Sequence, residues 1–381
     1  MLRRVIFFIL HWFPLLLLAQ EPPTNSVKLM FIGDIMGHGP QLKAAYNKQT
    51  KSYNYDANYQ YITSSFNNAD FVIGNLEVTL GVQPYAGYPT FSSPPELAQA
   101  IKNAGINVLG TANNHACDRR KKGIVSTIKI LDSIGIQHFG TYTSAGAKDS
   151  LTPLIIEKNN IKIVLLNYTY GTNGIPVPKG TKVNLLDKKE ILKDIQKAKE
   201  QQPDQIIAFV HWGQQYKNLP VTSQKKWFQF FKENGVSIVI GSHPHVVEPM
   251  QWNQKENTLV VYSLGNFISN QRTFPRDGAV IFELELTKKL GKTDISNADY
   301  ISTWVYKVHY ENGWEFYVLP IDEFAYKPYF FSHKNDYLKM KKYAAHIRTL
   351  LQKNNVNIPE NKSFSNRFFQ LMRELYMPFV K

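Results

Sequence analysis

The feature that most constrains this chain is a repeated pairing. Short apolar runs end abruptly, and residues with metal-binding or hydrogen-bonding capacity follow at once. Residues 27–32 (VKLMFI) run into Gly33 and Asp34. Residues 71–74 run into Asn75 and Glu77, and residues 106–110 into Asn113, Asn114 and His115. Residues 205–210 lead to His211, residues 236–240 to Ser242, His243 and His245, and residues 259–263 to Gly265 and Asn266. Runs this short and this apolar predict strands buried on both faces. Helical spacing falls between them over 95–104, 123–133, 188–200 and 224–234, the last closed by Gly235. Strand–helix alternation predicts an α/β fold. In open α/β sheets functional groups collect beyond the carboxyl ends of the strands. On that rule Asp34, Glu77, His115, His211 and His243 meet in one cleft.

Composition excludes several classes. The 381 residues are 43% hydrophobic and 19% charged, which suits a packed core and not a disordered chain. The single cysteine, Cys117, rules out an intramolecular disulfide framework and a cysteine-rich zinc site. It reads as a bystander, because no basic catalytic partner for it is apparent.

The first residues read as an export signal. Arg3 and Arg4 precede an apolar run from 5 to 19, and Glu21, Pro22 and Pro23 end it. As a helix that run spans only ~22 Å, short of a ~30 Å hydrocarbon core. Residues 1–20 are expected to be a signal peptide cleaved near Ala19–Glu21, with an uncleaved anchor as the alternative. The expected location is exported, periplasmic or cell-envelope associated. No cysteine follows the run to suggest a lipoprotein.

The net charge is +14, and +12 once Arg3 and Arg4 leave with the signal. Residues 321–381 hold 11 Lys/Arg and 5 Asp/Glu. A basic amphipathic extension offers contact with a membrane surface or an anionic polymer. The plainer reading is a helical pair packed on the main domain with its lysines in water. No nucleic-acid-binding motif is present, so nucleic acid is not an expected partner.

After residue 275 the texture changes. Residues 279–286 alternate as a strand, 288–297 read as a polar connection, and 304–310 with 314–319 read as a hairpin turning at 311–313. Asn335 or Asp336 caps a helix with Met340, Tyr343, Ala344, Ile347 and Leu351 on one face. Phe368, Leu371, Met372 and Leu375 repeat the spacing. The expected division is a domain over 27–287 and a hairpin and helical extension over 288–381.

Each chemical motif has an ordinary reading beside it. His243 and His245, two apart in a loop, can aim at one or two cations or be partly exposed loop residues. His211 is a ligand or a satisfied core histidine. Asn113 and Asn114 are hard oxygen donors or turn residues, and His115 beside them can serve as a general acid or stabilise an oxyanion. Asp34 and Glu77 bind metal, cap a helix or face water.

Taken together, in order, these motifs resemble the calcineurin-like metallophosphoesterase superfamily. More closely they resemble the CapA family of capsule and poly-γ-glutamate synthesis proteins. The residues carrying this are Gly33-Asp34-Ile35-Met36-Gly37, Asn75-Leu76-Glu77, Ala112 to Asp118, His211-Trp212-Gly213, Gly241 to His245, and Tyr262 to Phe267. The resemblance covers about residues 28–270. It implies a four-layer αββα sandwich with a two-metal cleft. It implies Asp34, Asn114, His211, His243 and His245 as metal ligands, with Glu77 in the CapA pattern, and His115 as the proton donor to the leaving group. Two such metals polarise a phosphoryl oxygen and lower the pKa of a bridging water. One or two divalent ions are expected, Mn, Fe or Zn. The implied function is an exported protein of capsule or poly-γ-glutamate-type polymer biosynthesis or export. The alternative is a metal-dependent hydrolase cutting a phosphoester or amide of an envelope polymer. Its partner is an anionic polymer or another envelope substrate.

Two residues depart from the superfamily pattern. Met36 stands where Asp-x-His has its histidine, and a thioether is a poor ligand for a hard cation. Asn75 stands in place of a bridging aspartate, and a neutral amide cannot supply that negative charge. Glu77, two residues on, is the carboxylate able to compensate.

Overall fold

The computed structural model describes residues 25–311 and 313–362. The expected signal peptide over 1–20 and the helical spacing from Phe368 to Leu375 lie outside them.

Two sheets form the interior. The first has seven strands: β1 (Asn25–Ile35), β2 (Phe71–Leu76), β3 (Val108–Gly110), β4 (Gln137–Phe139), β11 (Gly278–Lys289), β12 (Lys292–Tyr310) and β13 (Gly313–Pro320). Its order is β13-β12-β11-β1-β2-β3-β4. Strands β1 to β4 run parallel, and β11 to β13 extend the other edge antiparallel. The second has six: β5 (Leu154–Lys158), β6 (Ile161–Thr169), β7 (Gln205–His211), β8 (Ile238–Ser242), β9 (Met250–Asn253) and β10 (Thr258–Val261). Its order is β5-β6-β7-β8-β10-β9, parallel except for the outer strands β5 and β9.

The apolar runs are explained by burial on both faces. Val27, Leu29 and Phe31 of β1 point inward against Ile207 and Phe209 of β7. The rings of Phe31 and Phe209 meet edge to face at 6.2 Å. Met30 and Ile32 point the other way, toward α1 (Pro95–Asn103) and Leu131 of α2 (Arg120–Ile134). On the second sheet Ile206, Ala208 and Val210 face α3 (Lys188–Glu200) and Phe231 of α4 (Thr222–Glu233). The layers are therefore helix, sheet, sheet, helix, as the resemblance implies.

Two local readings are corrected. Residues 292–297 are not a polar connection but the start of β12. The register shifts opposite Glu285/Leu286, leaving Ser296 as an extra residue, and this bulge breaks the two-residue alternation. The helix expected to be capped by Asn335 or Asp336 is α5 (Lys334–Asn354), with His333 at its N-cap. Asp336 lies inside the first turn, where its charge complements the helix N-terminus. Residues 304–310 and 314–319 do pair as the expected hairpin, with Tyr310 opposite Gly313, and this hairpin continues the first sheet.

Candidate metal centre

The carboxyl ends of β1, β2, β7 and β8 converge on one edge of the sandwich. Asp34 lies beside Asn75 in the first sheet, and His211 beside Ser242 in the second. A register shift between Ile32 and Asp34 turns the end of β1 toward this edge. Gly33 permits it: a Cβ there would sit 2.0 Å from Gly265 O. The Asp34 N–H donates to the same carbonyl at 2.9 Å.

Asp34, Glu77, Asn114, His115, His211, His243 and His245 are all buried. Glu77, His211 and His243 offer ligand atoms within 4.8 Å of one another, and so do Asp34, Glu77 and His245. Glu77 is common to both groups. Asn114 Oδ1 is 3.0 Å from His211 Nε2, and His243 Nδ1 is 3.1 Å from the same nitrogen, so Asn114 joins the first group. His245 Nδ1 donates to Asp34 Oδ2 at 3.1 Å and to Asn266 Oδ1 at 3.0 Å. Its Nε2 faces Glu77 Oε1 at 3.8 Å.

These groups fit divalent cations. Glu77 Oε1 is buried with no hydrogen-bond partner, 3.6 Å from His211 Nε2. Burial, and next the Asp34 carboxylate, push the Glu77 carboxyl well above its usual value. Burial, and next His243, hold His211 well below the usual imidazole value. His243 is lowered to about 3 by burial, with His245 as the next cause. The rings of His211 and His243 are thus neutral, the state that binds a metal. An ion between them would satisfy the orphaned carboxylate oxygen and favour its charged form. The backbone is strained at the same place, with φ of +102° at His243 and +58° at His245.

The two departures have different structural outcomes. Asn75 is a hub: its Nδ2 donates to Asp34 Oδ1 at 2.7 Å, and its Oδ1 accepts from Asn113 Nδ2 at 3.3 Å. An amide donor facing Asp34 cannot itself bridge cations, and Glu77 stands at the shared position instead. Met36 is buried in the apolar cluster outside the first sheet.

His115 is held apart from the ligand groups. Its Nδ1 donates to Asp118 Oδ2 at 2.8 Å, which fixes the tautomer and leaves Nε2 for a reacting group. Asp118 Oδ2 also accepts the Phe91 N–H at 2.6 Å, and the Phe91 ring meets His115 edge-on at 4.6 Å. Cys117 is buried, and burial pushes its thiol up to about 11, which keeps it protonated and inert.

The sequence profile of the family described as bacterial capsule synthesis protein PGA_cap matches residues 28–271. The chain belongs to this family. All seven buried residues of the centre fall within the matched PGA_cap stretch. Among its relatives is the capsule biosynthesis protein CapA of Bacillus anthracis, 27% identical over 275 residues, 69% of this chain and 65% of that one. Another is the PGA biosynthesis protein CapA of Bacillus subtilis (strain 168), 28% identical over 258 residues, 66% of each chain. The chain spans just under two thirds of the length of these relatives. The calcineurin-like phosphoesterase YfkN from Bacillus subtilis is similar at 15% identity and a TM-score of 0.44, over 86% of this chain and 98% of that one.

Several residues of the PGA_cap site have roles that sequence reasoning did not assign. Asp118 orients His115, and the signal was its three-residue spacing within an otherwise polar turn. Ser242 Oγ is 3.0 Å from His211 Nδ1, and Asn266 supports His245. Tyr170 lies over His243 at 4.5 Å between ring centroids, and Tyr216 over His245 at 6.0 Å. Both tyrosines come from loops without periodicity.

Proposed function

We propose that this chain works at the cell envelope in building or exporting an anionic capsule polymer of the poly-γ-glutamate type, through a divalent-cation centre. The observation that carries this reading is the coincidence of the PGA_cap match with the buried cluster on Glu77. Asp34, Glu77 and His245 would hold one cation, and Glu77, Asn114, His211 and His243 a second. When bound, such ions supply Lewis-acid polarisation of an acyl or phosphoryl oxygen. Asn75 orients Asp34, and Asn266 fixes the tautomer of His245. Among the described residues no helix is long and apolar enough to cross a membrane. The basic leader and the +12 charge without it support export and electrostatic capture of a polyanion.

The pairing of His115 with Asp118 favours, as a second reading, a hydrolytic step on an amide or phosphoester of the polymer. His115 Nε2 then gives its proton to the leaving group, and Asp118 stabilises the imidazolium. The test is His115→Ala assayed on a γ-glutamyl oligomer and on a phosphoester. Turnover is expected to fall by about 10²-fold or more, with oligomer binding nearly unchanged. A binding loss as large as the turnover loss removes His115 from the role of proton donor.

A further inference from the structure

The ligand groups and the His115–Asp118 pair leave Tyr216 and Arg276 without a role. Tyr216 is 39% exposed at the rim, with its ring stacked on His245. Its N–H donates to Pro244 O at 2.8 Å, which ties its loop to the His243–His245 turn. Its φ is +68°, a strained value for a bulky residue. The Arg276 guanidinium lies 3.4 Å over the centre of the Tyr216 ring. Arg276 O accepts Asn266 Nδ2 at 2.8 Å, and Asn266 Oδ1 accepts from His245 Nδ1. Both the side chain and the main chain of Arg276 are therefore fixed relative to His245.

The charge on Arg276 is not spent on the protein. Its loop neighbour Arg272 pairs with Asp277 at 3.6 Å, donates to Val305 O at 2.8 Å and lies over Trp304. Arg276 is half-buried. Among the described residues no carboxylate lies within salt-bridge distance of its guanidinium. A guanidinium held face-on by a tyrosine keeps its N–H edges free, and those edges match a carboxylate with two parallel hydrogen bonds.

We infer that Arg276, positioned by Tyr216, recognises a carboxylate of the anionic polymer beside His245. This rests on the reading that the polymer is acidic, and it deepens that reading by naming the recognising residue.

The test uses the full chain, reconstituted with manganese or zinc. Arg276→Gln and Arg276→Lys are compared with wild type, and Lys255→Gln, in an exposed turn, serves as the control for lost charge. Calorimetry measures binding of a γ-glutamyl oligomer and of inorganic phosphate, and elemental mass spectrometry measures bound metal. Arg276→Gln is expected to raise the Kd for the oligomer about tenfold or more at unchanged metal content. Arg276→Lys should keep only part of the affinity, because an ammonium cannot form the paired hydrogen bonds. Lys255→Gln should stay near wild type. Wild-type affinity in Arg276→Gln overturns the inference, and so does a wild type that binds no oligomer. A loss confined to phosphate overturns the carboxylate assignment. Loss of metal together with oligomer would make Arg276 structural and also overturn it. If wild type holds no metal and Arg276→Gln still weakens the oligomer, the metal reading fails and this inference stands.

Discussion

Glu248 lies fully buried three residues past His245, and it couples the stability of this region to pH. Its Oε2 accepts Gln224 Nε2 at 2.6 Å, while Oε1 has no partner. Burial raises its carboxyl from the ordinary 4.5 to about 8, against the lowering effect of Gln224. Tyr262 is the other titratable group facing it. In the unfolded chain this carboxyl loses its proton near 4.5, and in the folded chain only near 8. Between those values the folded state holds more protons, so stability falls as pH rises. Glu248→Gln removes that cost. Thermal melts at about pH 5 and about pH 9 should show a smaller loss for the variant than for wild type. Equal losses would show that Glu248 is not ionised by folding-linked titration in this range.

At this scale the sequence was legible where chemistry sits directly after an apolar run. Asp34, Glu77, His211 and His243 could be placed on one edge because strand ends in an α/β sheet share an edge. The roles of Asp118, Asn266 and Arg276 were not legible. Each acts through a neighbour distant in sequence or through a stacked ring, and no spacing encodes that.

Helix α5 belongs to the core rather than to a loosely attached tail. Met340, Tyr343, Ala344, Ile347 and Leu351 join the cluster that also holds β11, β12 and both inner sheet faces. Arg348 pairs with Glu360 through hydrogen bonds of 2.8 to 3.1 Å, which fastens the segment after the helix back onto it. Ile347→Ala is expected to cost about 2–5 kcal/mol in urea unfolding, as truncation of a buried aliphatic side chain does. Lys341→Ala, on the exposed face, should change stability by less than about 0.5 kcal/mol. A neutral Ile347→Ala would mean that α5 does not contribute to the cooperative core. The amphipathic face of this helix was readable from spacing because one side is apolar and the other carries lysines. The start of β12 was not, because the bulge at Ser296 and the polar residues on its exposed face mask the alternation.

For the whole molecule, the two-sheet sandwich explains how residues as far apart as Asp34 and His245 meet. Each sheet supplies one half of the centre, and Glu77 belongs to both ligand groups. Alternation gave the α/β class and the family resemblance implied the four layers, whereas the joining of the two groups by one carboxylate needed three dimensions. On the proposed function, the chain's net charge of +14 draws a polyanion toward this buried centre, an attraction that salt should weaken. The central claim is that the two buried groups sharing Glu77 would hold two divalent cations. The most direct test is the metal content of purified, reconstituted protein by elemental mass spectrometry, wild type beside His243→Ala. His243 belongs to only one of the two groups, so the account predicts about two ions per chain in wild type and about one in the variant. No bound metal in wild type, or the same count in both proteins, would contradict it.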